Sequence, residues 1–274
     1  MASPSSEPCG LGTLLRQWRS VRGTSQLDLA SEAGTTPRYV SFVETGRARP
    51  SRKMVLRLAR ALDVPLRERN ELLLAAGFAP LYPVEPISSP TMAMVERAFA
   101  AMLSVHEPFP AVLIDRRWDV QRANDGAIRL FTRLFAPEPM PPAPNVVRLV
   151  LEPGPVRNHL RNWHDVAPAL LERVRREAVG GVVDPLTREL VATFQSHPEV
   201  QRLLDAVDDG APSAPVIDLR FELDGVRLDF FSIVTTVGSP TDVTAQEMRL
   251  EAFVPSNEAT RDHWLTLSTT QARL

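Results

Sequence analysis

Within PRYVSFVET (residues 37–45), Arg38, Ser41, Phe42 and Thr45 are side chains suited to the edges of nucleobases. Arginine offers two parallel donors to guanine, the hydroxyls reach base-edge donors and acceptors, and an exposed aromatic ring can touch a thymine methyl. On a helical wheel of about 100° per residue these four fall on one side, and Tyr39, Val40, Val43 and Glu44 on the other. If the second set packs against neighbouring helices, the first is free to read DNA. The same pattern also fits a helical bundle whose outer face is only solvated. Next comes Arg47-Ala48-Arg49-Pro50-Ser51-Arg52, a loop dense in guanidinium. Such loops hold DNA phosphates and give affinity without sequence choice, though Arg47, Arg49 and Arg52 also fit an ordinary charged surface.

The elements that must position these residues are legible around them. Ser25 suits an N-cap, with Asp28 three residues on in a capping-box-like start. Leu29, Ala30 and Ala33 recur at helical spacing, and Gly34 follows where a residue with positive φ lets the helix stop. Thr36 then caps a new helix with Pro37 at its first position, where a missing amide costs nothing. Thr36 therefore stands at the start of the reading helix, beside the bases it would approach. A first helix over Leu11–Arg22 carries the stripe Leu11, Leu14, Leu15 and Trp18, and a fourth over about Ser51–Leu62 carries Met54, Val55, Leu58 and Leu62. Pro65 opens a fifth helix that ends near Gly77. Five helices of this kind close a small all-α domain.

These residues carry a family resemblance. Ser25-Gln26, Leu29-Ala30, Gly34 and the run Val40 to Gly46 look like the XRE (Cro/C1-type) helix-turn-helix repressors. The longer string from Arg38 to Pro80 is similar to the MmyB-like subgroup, in which a PAS-like ligand-binding domain follows. The resemblance implies that Gln26 bonds a phosphate beside the groove. It also implies an ion pair between Arg19 and Glu44 that fixes the angle of the reading helix, where two separate solvated charges are the alternative. It implies as well a small, largely apolar, fatty-acid-like effector bound in the second domain. The run Asn162-Trp163 with the arginine-rich stretch after it is the best later marker. Where many relatives have His-Pro before a glycine, this chain has Glu152-Pro153-Gly154, which leaves no histidine for that role.

The 274 residues suffice for two domains. Charge divides unevenly, +5 through Ala79 and −7 after it, as suits a nucleic-acid binder joined to a domain that avoids phosphates. Cys9 is the only cysteine, which excludes an intramolecular disulfide and a cysteine zinc site. No apolar run reaches about 18 residues and the start lacks a signal-peptide pattern, so neither a membrane span nor secretion is expected and the cytoplasm is. His159, His164 and Asp165 lie close together, yet their spacings put the histidines on different helix faces. No HExxH run, nucleophile elbow or glycine-rich phosphate loop is present, so no metal, cofactor or catalysis is expected.

The expected organisation is a disordered segment 1–10, a helix-turn-helix domain 11–79, a proline-rich linker 80–90 and a PAS-like domain 91–274. The fold class is α+β, with the all-α five-helix domain followed by an α+β domain holding an antiparallel sheet of about five strands. In the second domain an amphipathic helix over Thr91–His106 is followed by a hairpin within Pro110–Asn124, with Asn124 and Asp125 as caps. Helices follow near 146–151, 162–177, 184–195 and 198–206. Strands come last at Val216–Leu223, Val226–Val237 and Met248–Val254, an Asp224-Gly225 turn joining the first two, and then a helix over Glu258–Thr266. Such a sheet has one face to cover, and the space beneath can hold a ligand. Phe221, Phe230 and Phe231 are candidate liners, or simply core. The expected partners are an operator in double-stranded DNA, a small-molecule effector and a second copy of the chain. The alternative makes the second domain a protein-interaction or dimerisation module without a ligand.

Overall fold

The computed structural model describes residues 10–177, 185–206 and 216–271. The expected disordered stretch 1–10 lies almost wholly outside the described residues. The chain forms two compact units. The first is built from residues 10–85, joined by 176–177 and Pro240–Gln246. Its helices are α1 (Leu11–Val21), α2 (Gln26–Glu32), α3 (Pro37–Glu44), α4 (Arg52–Ala61) and α5 (Leu66–Ala75). Their starts follow the capping chemistry. Ser25, Thr36 and Ser51 each accept a hydrogen bond from the amide three residues ahead, and Gly34, closing α2, sits at φ +60°. Leu15, Trp18, Leu29, Val40, Val43, Val55, Leu58 and Leu73 share one buried core.

The start of the proline-rich stretch is held rather than free. Asn70 of α5 accepts the amides of Leu81 and Tyr82 on Oδ1, and its Nδ2 donates to the Tyr82 carbonyl. One side chain thus replaces a turn of hydrogen bonding for a segment whose prolines cannot make it. Nearby, the Glu85 amide donates to Asp242 and the Val243 amide to the Pro83 carbonyl, so the first unit runs to residue 85.

The second unit is organised by one antiparallel sheet in the order β2-β1-β5-β4-β3, from β1 (Ala111–Ile114), β2 (Val120–Ala123), β3 (Asp218–Leu223), β4 (Val226–Thr236) and β5 (Arg249–Pro255). Asp224 and Gly225, both at positive φ, make the tight turn from β3 to β4. Helices α7 (Asp125–Phe135), α8 (Val146–Leu151), α9 (Pro155–His159), α10 (Trp163–Glu177), α11 (Pro185–Gln195) and α12 (Pro198–Ala206) separate the early hairpin from β3. The short α13 (Val243–Glu247) precedes β5, and α14 (Glu258–Gln271) runs five residues beyond the expected end at Thr266.

Both faces of the sheet are covered, where one was expected. On one face Val112, Ile114, Leu219, Phe221, Leu228, Phe230 and Phe253 pack with residues of α7–α12 and Trp264 of α14. On the other, Ala111, Leu113, Leu250 and Ala252 meet Phe99 and Leu103 of α6 (Ala93–Val105). The reason lies in β1 and β5, whose central position buries both sets of alternating side chains. Phe99 and Leu103 of α6, with the half-buried Val95 and Met102, are therefore core.

Asn124 ties this unit together. It is buried, and its Oδ1 accepts the amides of Ala111 and Ala127 while Nδ2 donates to the carbonyls of Leu103 and Phe109. Replacing it with alanine orphans backbone groups on α6, β1 and α7. Asn124→Ala is expected to lower unfolding stability by about 1–3 kcal/mol in denaturant titration. Asn124→Asp should cost at least as much at neutral pH, because its oxygens would face two carbonyls, and should recover as acid protonates it. Equal stability of all three proteins at neutral pH would contradict this assignment.

Candidate nucleic-acid interface and ligand cavity

The reading helix α3 presents the two faces that its sequence sets. Val40, Val43 and Glu44 are buried, while Thr36, Arg38 and Thr45 are exposed and Ser41 and Phe42 half-buried. The Arg38 guanidinium lies 5.2 Å from the centre of the Phe42 ring, which orders both side chains on the outer face. Thr36 spends its hydroxyl oxygen on the Tyr39 amide, and Thr45 donates its hydroxyl to the Ser41 carbonyl at 2.8 Å. Each keeps only part of its hydrogen-bonding capacity for a base. Arg47, Arg49 and Arg52 are exposed, with no ion pair to an acid among the described residues. Three uncommitted guanidinium groups beside an exposed helix are what phosphate contacts need.

The orientation of α3 depends on Glu44. Its carboxylate is nearly inaccessible and takes Arg19 Nε on Oε1 at 2.8 Å, with Arg19 Nη2 at 3.3 Å and Gln26 Nε2 at 2.8 Å both on Oε2. Arg16 adds its charge at 3.6 Å and bonds the Glu44 backbone carbonyl. Burial alone would raise the Glu44 pKa, but the bonds from Arg19 and Gln26 and the charges of Arg19 and Arg16 outweigh it and hold the group below its ordinary value. Gln26, expected on a phosphate, thus has one amide hydrogen committed to Glu44. Arg16 and Gly12 were not singled out from sequence. A methyl group at Gly12 would lie 2.4 Å from the Glu44 carbonyl oxygen, so this glycine sets how closely α1 approaches α3. The signal was available, since Gly12 and Arg16 lie one turn apart on the same helix.

The second unit contains a cavity of about 50 Å³ under its sheet. Its apolar wall includes Leu149, Val156, Leu160, Leu170, Phe221 and Phe253, and its polar members are Arg173, Ser232 and Glu251. Of the three expected liners only Phe221 is there. Phe230 faces the same side of β4 as Ser232 but is spent on the core, edge-on to Trp264 at 5.8 Å. Phe231 is corrected outright. Adjacent strand residues point to opposite faces, so it cannot join Phe230 and Ser232.

Sequence reasoning also missed the charged pair on the inner face. Arg173 Nη1 donates to Glu251 Oε1 at 2.7 Å, and both side chains are buried. Arg173 also stacks on Trp118, whose ring centre lies 5.0 Å away, and Arg249 stacks on the same ring at 4.5 Å. The strand expected over Met248–Val254 carries no assigned inner face, and Arg249, Glu251 and Phe253 point toward the larger core.

Residues 95–266 match the family model described as MmyB-like transcription regulator ligand binding domain. The chain belongs to the MmyB-like transcription regulators. Residues 11–72 of this regulator match a helix-turn-helix domain model. The regulator is also 30% identical over 63 residues to the endothelial differentiation-related factor 1 homolog of Gallus gallus, covering 23% of the regulator and 43% of that protein. The regulator therefore spans less than half the length of that relative. Among the described residues no helix is long and apolar enough to cross a membrane, and no group of three or more His, Cys, Asp or Glu side chains is placed to hold a metal.

Arg19→Ala removes two bonds from a buried carboxylate, whereas Arg16 is the more exposed partner. Arg19→Ala is expected to cost about 1–3 kcal/mol and to lower the melting temperature more than Arg16→Ala, and equal effects would refute the special role of Arg19. Because the Glu44 pKa is lowered by folding, its contribution is present above the ordinary value of 4.5 and is lost as pH falls through the folded value. The stability gap between wild type and Glu44→Gln should accordingly shrink as pH drops below 4.5 in thermal melts.

Proposed function

We propose that this regulator is a sequence-specific DNA-binding protein that enters the major groove with α3, acts as a homodimer on a two-fold operator, and senses a small, largely apolar ligand through a PAS-like second unit. The observation that carries the DNA half is the division of α3. A buried Glu44, held by three side chains, fixes the helix, while Arg38, Ser41, Phe42 and Thr45 remain on its outer face with Thr36 at its start. Arg38 supplies bidentate readout, and Gln26, Arg47, Arg49 and Arg52 hold phosphates. If the dimer is symmetric, its half-sites lie about 34 Å apart. The expected compartment is the cytoplasm.

The ligand half rests on the apolar cavity. Its volume of about 50 Å³ is far below the roughly 300–1,000 Å³ of ordinary ligand sites. Binding a chain-like molecule therefore requires the half-buried liners Phe131, Val146, Leu149, Val150 and Ile217 to move apart. That requirement couples occupancy to the packing of α7 and α8, and a ligand that favours one packing over another shifts DNA affinity by its differential binding. The small volume equally favours a second reading, in which this unit is an interaction or dimerisation module.

Two measurements separate the possibilities. In a binding assay against operator and random DNA, Arg38→Ala should lose about 1–3 kcal/mol on the operator alone, while Arg49→Ala should weaken both and reduce the salt dependence. A uniform loss for Arg38→Ala would remove it from the readers. Native mass spectrometry of the full-length protein, with organic extraction alongside, should show a dimer carrying a releasable small molecule. A ligand-free dimer whose operator affinity moves by less than about twofold with candidate effectors would favour the interaction module.

A further inference from the structure

Two of the outer residues of α3 are joined. Arg38 and Phe42 lie one helical turn apart, and the guanidinium sits 5.2 Å from the centre of the ring. Neither is spent elsewhere. Among the described residues Arg38 forms no ion pair, and the core of the first unit is built without Phe42. Their neighbours are more committed, since the Thr36 oxygen takes the Tyr39 amide and the Thr45 hydroxyl turns back to the Ser41 carbonyl. Arg38 is also the second residue of α3, and the first residues of a reading helix are the ones that meet base edges.

A guanidinium that bonds O6 and N7 of guanine lies close to the plane of that base pair. With its ring centre 5.2 Å from the guanidinium, Phe42 then reaches the level of the next pair, since pairs are stacked about 3.4 Å apart. The apolar group that the major groove displays to a ring there is the 5-methyl group of a pyrimidine. We infer that Arg38 and Phe42 read two successive base pairs as one unit, a guanine and, beside it, a pair carrying a 5-methylpyrimidine. Thymine supplies that methyl group, and so does 5-methylcytosine, so recognition of a cytosine at this place depends on its methylation. The inference rests on the DNA-reading proposal above and deepens it. It differs from two independent contacts because the guanidinium places the ring, and the methyl group is read only while Arg38 is present.

The experiment begins with selection of binding sites by the full-length protein from random-sequence duplex DNA. The selected duplex is remade with uracil for the thymine beside the guanine, which deletes only the methyl group, and with cytosine or 5-methylcytosine at the same place. The wild type should select a guanine next to a T·A pair and bind the uracil duplex about three- to fivefold more weakly, the loss that one buried methyl group predicts. It should prefer 5-methylcytosine over cytosine by a similar factor. Phe42→Ala should lose the methyl dependence and keep the guanine preference, whereas Arg38→Ala should lose both. A uracil effect below about 1.5-fold in the wild type, or one that survives either substitution, would overturn the paired reading. A selected site without a guanine beside a T·A pair would overturn it too and leave DNA reading intact. Enrichment of no sequence at all would overturn both. If either variant does not fold, the comparison of thymine with uracil in the wild type decides.

Discussion

A single buried carboxylate sets the geometry of the DNA-facing unit. Glu44 lies near the end of a helix of only eight residues, too short to hold an orientation by its own apolar contacts. Its neighbours Val40 and Val43 seat α3 in the core, but apolar packing is non-directional and tolerates sliding. The directional part comes from guanidinium and amide groups converging from α1 and α2 on one carboxylate. Charge-assisted bonds with a planar donor specify angle as well as distance. The outer residues of α3 inherit their placement from a residue on its inner face.

The second unit uses polar groups in a comparable way, but spreads them. Asn124 joins a helix end, a strand start and a second helix start with four bonds and no charge. Trp118, fully buried at φ +69°, closes the first hairpin with two guanidinium groups against its ring. Asp115 in the same turn accepts the amides of Arg117 and Asp119 on one oxygen. Burial pushes its carboxyl up despite those bonds. This end of the sheet is therefore a polar network inside an apolar core, and groups of that kind specify one arrangement at some expense in stability.

Much of the first unit was legible because its signals are local. N-caps at Ser25, Thr36 and Ser51, Pro37 at a helix start and Gly34 at a helix end are each decided within four residues. The inner and outer faces of α3 follow from period alone. The resemblance supplied the pairing of Arg19 with Glu44, which no local rule gives. What escaped was non-local. Arg16 reads as one more surface arginine until α3 is placed beside α1. Asn70 reads as an ordinary helix residue until a proline-rich segment needs its amide. In the second unit, alternation correctly placed Leu219, Phe221 and Leu223 on one face of β3. It failed on β5, since a central strand buries both faces and the period then no longer says which side matters. No role was expected of Glu251 or Arg173, and Phe231 was grouped with Phe230 although neighbours on a strand diverge.

The stacking of Arg173 on Trp118 has an optical consequence. All four tryptophans are buried, and Trp118 lies against Arg173, a side chain that lines the cavity. A guanidinium held against an indole perturbs its excited state, so any molecule that draws Arg173 toward the cavity changes the emission of Trp118. The protein thus carries an intrinsic fluorescent reporter one residue removed from the cavity, readable without a label.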